Sequence, residues 1–221
     1  MNKLFIVGNL KSYKTQSQGL EWLRNFKKIK ELGEIYKEKE IVICPPFTLL
    51  YLFKSYFLQN NFSANLGAQN VSPFDEGAYT GEVNARQIKE FADYVLIGHS
   101  ERRNNFGEND EVLSKKVQIS LRYEIKPIYL VQNKETIIPQ GVELVAYEPV
   151  FAIGTETPDT PENAKDVSDF IKTKGNYQIL YGGSITPQNI KSFTDKEKLS
   201  GALVGGASLD PNEFIEIIKN A

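Results

Sequence analysis

Short apolar runs rich in valine, isoleucine and leucine recur along the chain without strict alternation: Leu4 to Val7, Ile41 to Cys44, Ala64 to Gly67, Tyr94 to Ile97, Ile128 to Val131, Leu144 to Ala146, Gln178 to Tyr181 and Ala202 to Val204. A strand with no polar face is buried on both sides, as in a parallel sheet covered by helices. Most of the runs lie about 15 to 35 residues apart, which leaves room for a crossover helix between successive strands. The intervening segments carry helical spacing, seen in Leu20, Leu23, Phe26 and Lys27 through Ile29 and again in Val112, Leu113, Val117 and Leu121. Thr160-Pro161 and Thr186-Pro187 place a capping hydroxyl before a proline at a first helical position, and Asp210-Pro211-Asn212-Glu213 adds a carboxylate spaced for a capping box. Eight strand–helix units predict an α/β fold, a closed (β/α)₈ barrel formed as one domain by residues 1–221, with an open doubly wound sheet as the alternative. One interval is anomalous. Only twelve residues, Gln132 to Glu143, separate the fifth run from the sixth, and they include Pro139 and Gly141, so the fifth helix is expected to be shortened or missing.

Composition narrows the function classes. The chain has 221 residues, 41% hydrophobic and 24% charged, and a formal net charge of -2, unlike the strongly basic balance of a typical nucleic-acid-binding domain. No apolar run approaches the ~18 residues of a membrane span, and the start turns polar too soon for a signal peptide. One cysteine, Cys44, and one histidine, His99, allow neither an internal disulfide nor a His/Cys metal cluster. The expectation is a cytoplasmic protein with no metal and no partner among membranes or nucleic acids.

In a barrel, reactive groups sit where strands end and the following loops begin. Those positions hold Asn9 and Lys11 after the first strand, His99, Ser100 and Glu101 after the fourth, Glu148 after the sixth, Gly182, Gly183 and Ser184 after the seventh, and Gly205 and Gly206 after the eighth. Each has a bland reading. Lys11 alone is a solvated lysine, His99 could be a structural donor, and Glu101 suits the first turn of a helix. Glu148 is harder to dismiss, because a glutamate pointing inward off an apolar strand is costly unless paired or chemically useful. Single glycine pairs are ordinary turns, but two pairs after the last two strands match the phosphate site of many barrels, where glycine lets backbone N–H groups approach an anion.

Read together, these segments resemble the triosephosphate isomerase family over nearly the whole chain. The resemblance rests on Gly8-Asn9-Leu10-Lys11, Gly67-Ala68-Gln69-Asn70, Gly77-Ala78-Tyr79-Thr80-Gly81-Glu82, Ile97-Gly98-His99-Ser100-Glu101-Arg102-Arg103, Ala146-Tyr147-Glu148-Pro149-Val150, Ala152-Ile153-Gly154-Thr155, Tyr181-Gly182-Gly183-Ser184 and Leu203-Val204-Gly205-Gly206-Ala207-Ser208-Leu209. It implies a (β/α)8 TIM barrel and an isomerase of glycolysis and gluconeogenesis that interconverts D-glyceraldehyde 3-phosphate and dihydroxyacetone phosphate through an enediolate, without a cofactor. The family is a well-known example of acid–base tuning, a glutamate base beside a neutral histidine; the resemblance therefore implies Glu148 as the base, His99 as the oxyanion donor and Lys11 as fixed positive charge. Asn9, Lys11, Gly154, Ser184, Gly205 and Gly206 would bind substrate, Glu101 would orient the cluster, and the lid after Glu148 would close on the phosphate. The Asn70–Thr80 loop would dock into a second copy to form a homodimer, with Thr80 near the partner's Lys11.

Several positions depart from the family pattern. Leu10 and Phe151 replace tryptophans, Leu130-Val131-Gln132-Asn133 replaces Cys-x-Gly-Glu, and Glu156 stands near the end of the lid. In the family the lid tryptophan commonly donates its indole N–H to that glutamate; with Phe151 and Asn133 both partners are gone, a cheaper change than losing one alone. Rival readings are another phosphate-binding barrel and a catalytically dead one. A metal-dependent epimerase would want more histidines or carboxylates, a Schiff-base aldolase would want a lysine late in the barrel, and a dead barrel would have lost His99 or Glu148.

Overall fold

The computed structural model describes residues 3–149, 159–195 and 199–221. Eight strands, β1 (Leu4–Asn9), β2 (Lys39–Cys44), β3 (Asn65–Ala68), β4 (Tyr94–Ile97), β5 (Lys126–Val131), β6 (Leu144–Tyr147), β7 (Gln178–Tyr181) and β8 (Gly201–Val204), pair in chain order into a closed parallel barrel. The pairing of β8 with β1, from Phe5 opposite Gly201 to Gly8 opposite Val204, closes the ring and excludes the open sheet. Each strand coincides with one of the apolar runs to within a few residues, because burial on both faces requires an unbroken run.

The two faces of the strands feed two cores. Val7, Val42, Leu96, Ile128, Leu130, Ala146, Leu180 and Leu203 fill the barrel, whereas Ile6, Ile43, Val95, Tyr129, Val145, Tyr147, Tyr181 and Val204 belong to the layer between sheet and helices. Side chains alternate across a strand with period two, so the residue two beyond the last barrel-filling side chain again faces the axis. That rule places Asn9 after Val7, Glu148 after Ala146, Gly182 after Leu180 and Gly205 after Leu203.

The helices are α1 (Gln16–Phe26), α2 (Leu50–Asn60), α3 (Ala85–Lys89), α4 (Ser100–Phe106), α5 (Asp110–Arg122), α6 (Pro161–Lys172), α7 (Ile190–Thr194) and α8 (Pro211–Asn220). Thr160 caps α6 ahead of Pro161, and Asp210 caps α8 by accepting from the Asn212 and Glu213 N–H groups. Thr186-Pro187 behaves differently: Thr186 Oγ1 accepts from the Asn189 N–H in a turn, and α7 begins at Ile190. Among the described residues there is no helix between β5 and β6, so the short interval is a loop. Nor is any described helix long and apolar enough to cross a membrane.

Candidate active site

A cleft of about 430 Å³ opens at the carboxyl ends of the strands, lined by Asn9, Lys11, His99, Glu148, Gly182, Gly183, Ser184, Gly205 and Gly206 among others. These residues lie on five different strand ends, which only barrel closure brings together.

Glu148 is the most deeply buried carboxylate of the cleft, its side chain 3% exposed. Its Oε2 accepts the Ser100 N–H at 3.0 Å, from the first turn of α4, and its Oε1 lies 3.3 Å from His99 Nε2. Burial pushes its pKa above the ordinary carboxylate value; the Ser100 N–H and Lys11 pull back, and Glu101 adds a smaller push upward. His99 caps α4, and its Nδ1 accepts the Glu101 N–H at 3.2 Å. A nitrogen that accepts carries no proton, so the ring is neutral in this arrangement and presents Nε2–H to Glu148.

Lys11 takes a left-handed backbone, φ 49°, and its N–H donates to Asn9 Oδ1 at 3.0 Å. Its ammonium donates to Glu101 Oε1 at 2.6 Å, which fixes the cation beside the His99–Glu148 pair. Gln69 supports this bend from below, donating from Nε2 to the carbonyls of Lys11 and Cys44 at 2.8 and 2.9 Å. Ser208, fully buried, ties the loop after β8 to β1 through Oγ, directed at the Asn9 and Gly205 carbonyls at 3.1 and 2.7 Å. The Trp22 indole donates to the Ser208 carbonyl at 3.0 Å. Asn189 donates to the Ser184 carbonyl at 3.0 Å and so shapes the loop after β7.

Asn9, Lys11, His99, Glu148, Ser184, Gly205 and Gly206 thus line one cleft, with Glu101 paired to Lys11 at its edge. Thr80 is exposed on the loop after β3 and does not line the cleft. Gly154, Phe151 and Glu156 lie outside the described residues. Gln69 and Ser208 sit in segments that carried the resemblance, yet nothing in the sequence marks their bonds; Trp22 and Asn189 carried no signal at all, since their partners are distant in the chain.

The chain is matched by the family model described as triosephosphate isomerase over residues 4–221. It is 39% identical over 254 residues to the triosephosphate isomerase of Dictyoglomus turgidum, covering 100% of each chain. It is 40% identical over 245 residues to that of Aquifex aeolicus, covering 96% of this chain and 97% of the relative. The crystal structure of triosephosphate isomerase from Bartonella henselae superposes with a TM-score of 0.82 at 30% identity, covering 99% of this chain and 98% of the other. With the closed parallel barrel and the cleft at its carboxyl end, these matches establish that the chain belongs to the triosephosphate isomerase family.

Proposed function

We propose that Glu148, His99 and Lys11 carry out the family's isomerisation, the interconversion of D-glyceraldehyde 3-phosphate and dihydroxyacetone phosphate. The observation that carries the assignment is the contact of a buried carboxylate with a neutral imidazole at 3.3 Å beside a fixed ammonium. Glu148 takes the proton from the carbon next to the carbonyl, the C–H electron pair forms the enediolate, and the same carboxyl returns the proton to the adjacent carbon. His99 donates from Nε2 to the oxygen that gains charge and moves the hydroxyl proton between the two oxygens. Lys11 offsets the enediolate charge, and Glu101 holds Lys11 in place. Asn9, Ser184, Gly205 and Gly206 bind the substrate, the last three around its phosphate. These proton transfers need no metal or organic cofactor.

Burial serves the base in two ways. It raises the proton affinity of Glu148 toward that of a carbon acid, and it leaves the carboxylate ready without a water shell to shed. In a coupled assay Glu148→Gln should retain binding and lose about 10²–10⁴-fold in turnover. Near-normal turnover removes Glu148 from the role of base.

The same reading places the enzyme in the cytoplasm and in a homodimer. On the loop from Asn70 to Thr80, Phe74 and Tyr79 are 45% and 44% exposed and stack at 4.3 Å, an apolar pair held ready for a partner. Asp75 fastens the loop to its own barrel, accepting from the Tyr123 hydroxyl at 2.6 Å and Arg122 at 3.1 Å. Thr80 then reaches toward the partner's Lys11. A single monomeric species in sedimentation at micromolar concentration refutes the dimer.

A further inference from the structure

Asp159 is a buried carboxylate that the proposed chemistry does not use, 7% exposed and two residues ahead of α6. It joins three elements. Its Oδ2 accepts from the Tyr147 hydroxyl at 3.3 Å and from Asn163 Nδ2 at 2.7 Å, and its Oδ1 accepts the Thr160 N–H at 2.8 Å. Its own N–H donates to the Tyr181 hydroxyl at 2.8 Å. Tyr147 is the last residue of β6 and immediately precedes Glu148; Tyr181 is the last residue of β7 and immediately precedes Gly182, Gly183 and Ser184.

The two strand ends are also joined directly, because the Gly182 N–H donates to the Tyr147 carbonyl at 2.7 Å. Tyr181 is immobilised on its other face by Phe193, stacked at 4.1 Å. Tyr147 packs beside the Tyr181 ring, centroids 6.5 Å apart, and its hydroxyl donates to Asp159. Burial, reinforced by the Asp159 charge, holds the Tyr147 phenol protonated and donating across the working pH range. A cap and turn staple would explain the bonds to Thr160 and Asn163. It would not explain why both tyrosines that lead into the cleft converge on one residue.

We propose that Asp159 is a positioning residue of the isomerase, its carboxylate setting the placement of Glu148 through the Tyr147 hydroxyl. The proposal rests on the assignment of Glu148 as base. It predicts a split between the kinetic constants, since removing the carboxylate leaves the N–H bond to Tyr181 intact. A small misplacement of a reacting group is felt in turnover, so Asp159→Ala should lower kcat about tenfold with KM changed less than about twofold. Tyr147→Phe, which removes one oxygen and leaves the packing, should give the same loss, and the double variant should lose no more than the larger single. Overturning results are kcat of both single variants within about twofold of wild type with only a lower Tm, or losses that multiply in the double variant. Glu148→Gln assayed alongside keeps the two ideas apart: its full activity would remove the base assignment, whereas its inactivity with an unaffected Asp159→Ala would remove only the positioning role.

Discussion

The phosphate site can be tested with one methyl group. A Cβ built on Gly206 meets nothing within 4 Å, and Gly206 lines the cleft, so Gly206→Ala adds bulk to the cleft without crowding the protein. The neighbouring glycines do not allow so clean a change. A Cβ on Gly183 would lie 2.1 Å from the Tyr181 hydroxyl oxygen, one on Gly182 would lie 3.0 Å from Glu148 Cγ, and one on Gly205 would lie 3.3 Å from Lys11 Cε. The first of those changes displaces Tyr181 and the other two crowd the reacting groups, along with any anion. For Gly206→Ala the cost is one charge-assisted hydrogen bond held off the phosphate, about 1.5–3 kcal/mol. At about 1.4 kcal/mol per factor of ten, kcat/KM should fall roughly 10- to 150-fold. The Tm should stay where it is, and inhibition by inorganic phosphate should weaken in parallel with the loss. Steady-state kinetics with and without phosphate, beside a thermal melt, decide the matter. If kcat/KM and phosphate inhibition remain within about twofold of wild type, the phosphate does not sit against Gly206.

Three further outcomes follow from the geometry. Because burial raises the pKa of Glu148, the acidic limb of kcat/KM should fall at a pH above the ordinary carboxylate value; the same upward shift means its contribution to stability is present below its unfolded pKa and lost as pH rises through the folded one, so Glu148→Gln should flatten that part of the stability–pH curve. Gly201 has φ 144° and faces the Phe5 carbonyl where β8 closes on β1, so Gly201→Ala should cost about 2–6 kcal/mol from backbone strain plus overpacking, a drop in Tm of about 2–4 °C per kcal/mol; a Tm unchanged in the melt contradicts this closure geometry. Asn133→Ala removes the acceptor of a three-donor turn and should lower stability by about 1–2 kcal/mol in urea titration with kcat unaffected; a drop in kcat at unchanged stability would tie Asn133 to the chemistry instead.

The strands were legible because a both-sided burial leaves no choice of residue, and the polar residue that ends such a run stands out against it. Asn9 and Glu148 were visible for that reason, and the period-two rule then fixes the face they occupy. Other features leave no trace in a linear pattern. Lys116 in α5 reads as a surface lysine, yet it is 3% exposed and donates to Asn70 Oδ1 at 2.6 Å and to Glu108, which also takes Arg102 Nε at 2.6 Å. The left-handed turn at Lys11 is likewise invisible, because lysine has no preference for it; the bond from its N–H to Asn9 and the two from Gln69 hold it there. Such contacts depend on which helices the barrel sets side by side, and spacing along the chain does not encode that.

The missing helix shows which part of a strand–helix unit the barrel needs. β5 and β6 pair from Ile128 opposite Leu144 to Val131 opposite Tyr147 without it, so the connection has only to cover the sheet and return the chain. Residues 132–143 do both with a side-chain-built turn. Asn133 Oδ1 accepts the Glu135 and Thr136 N–H groups at 3.0 Å each and the Thr136 hydroxyl at 3.2 Å, and Thr136 Oγ1 accepts from the Gln132 N–H at 3.3 Å. Val142 is then buried and Ile138 packs on the core, while Gln118 of α5 donates to the Gln140 carbonyl at 3.3 Å from one flank and Lys174 to the Lys134 carbonyl from the other. What remains uncovered is Ile137, 67% exposed. Residue 133 is therefore committed: its acceptor faces its own backbone. A glutamate put there to meet a restored indole at position 151, itself outside the described residues, would first have to surrender this turn. A connection this short is thus built around a turn former at residue 133, the position where the family resemblance implies a glutamate.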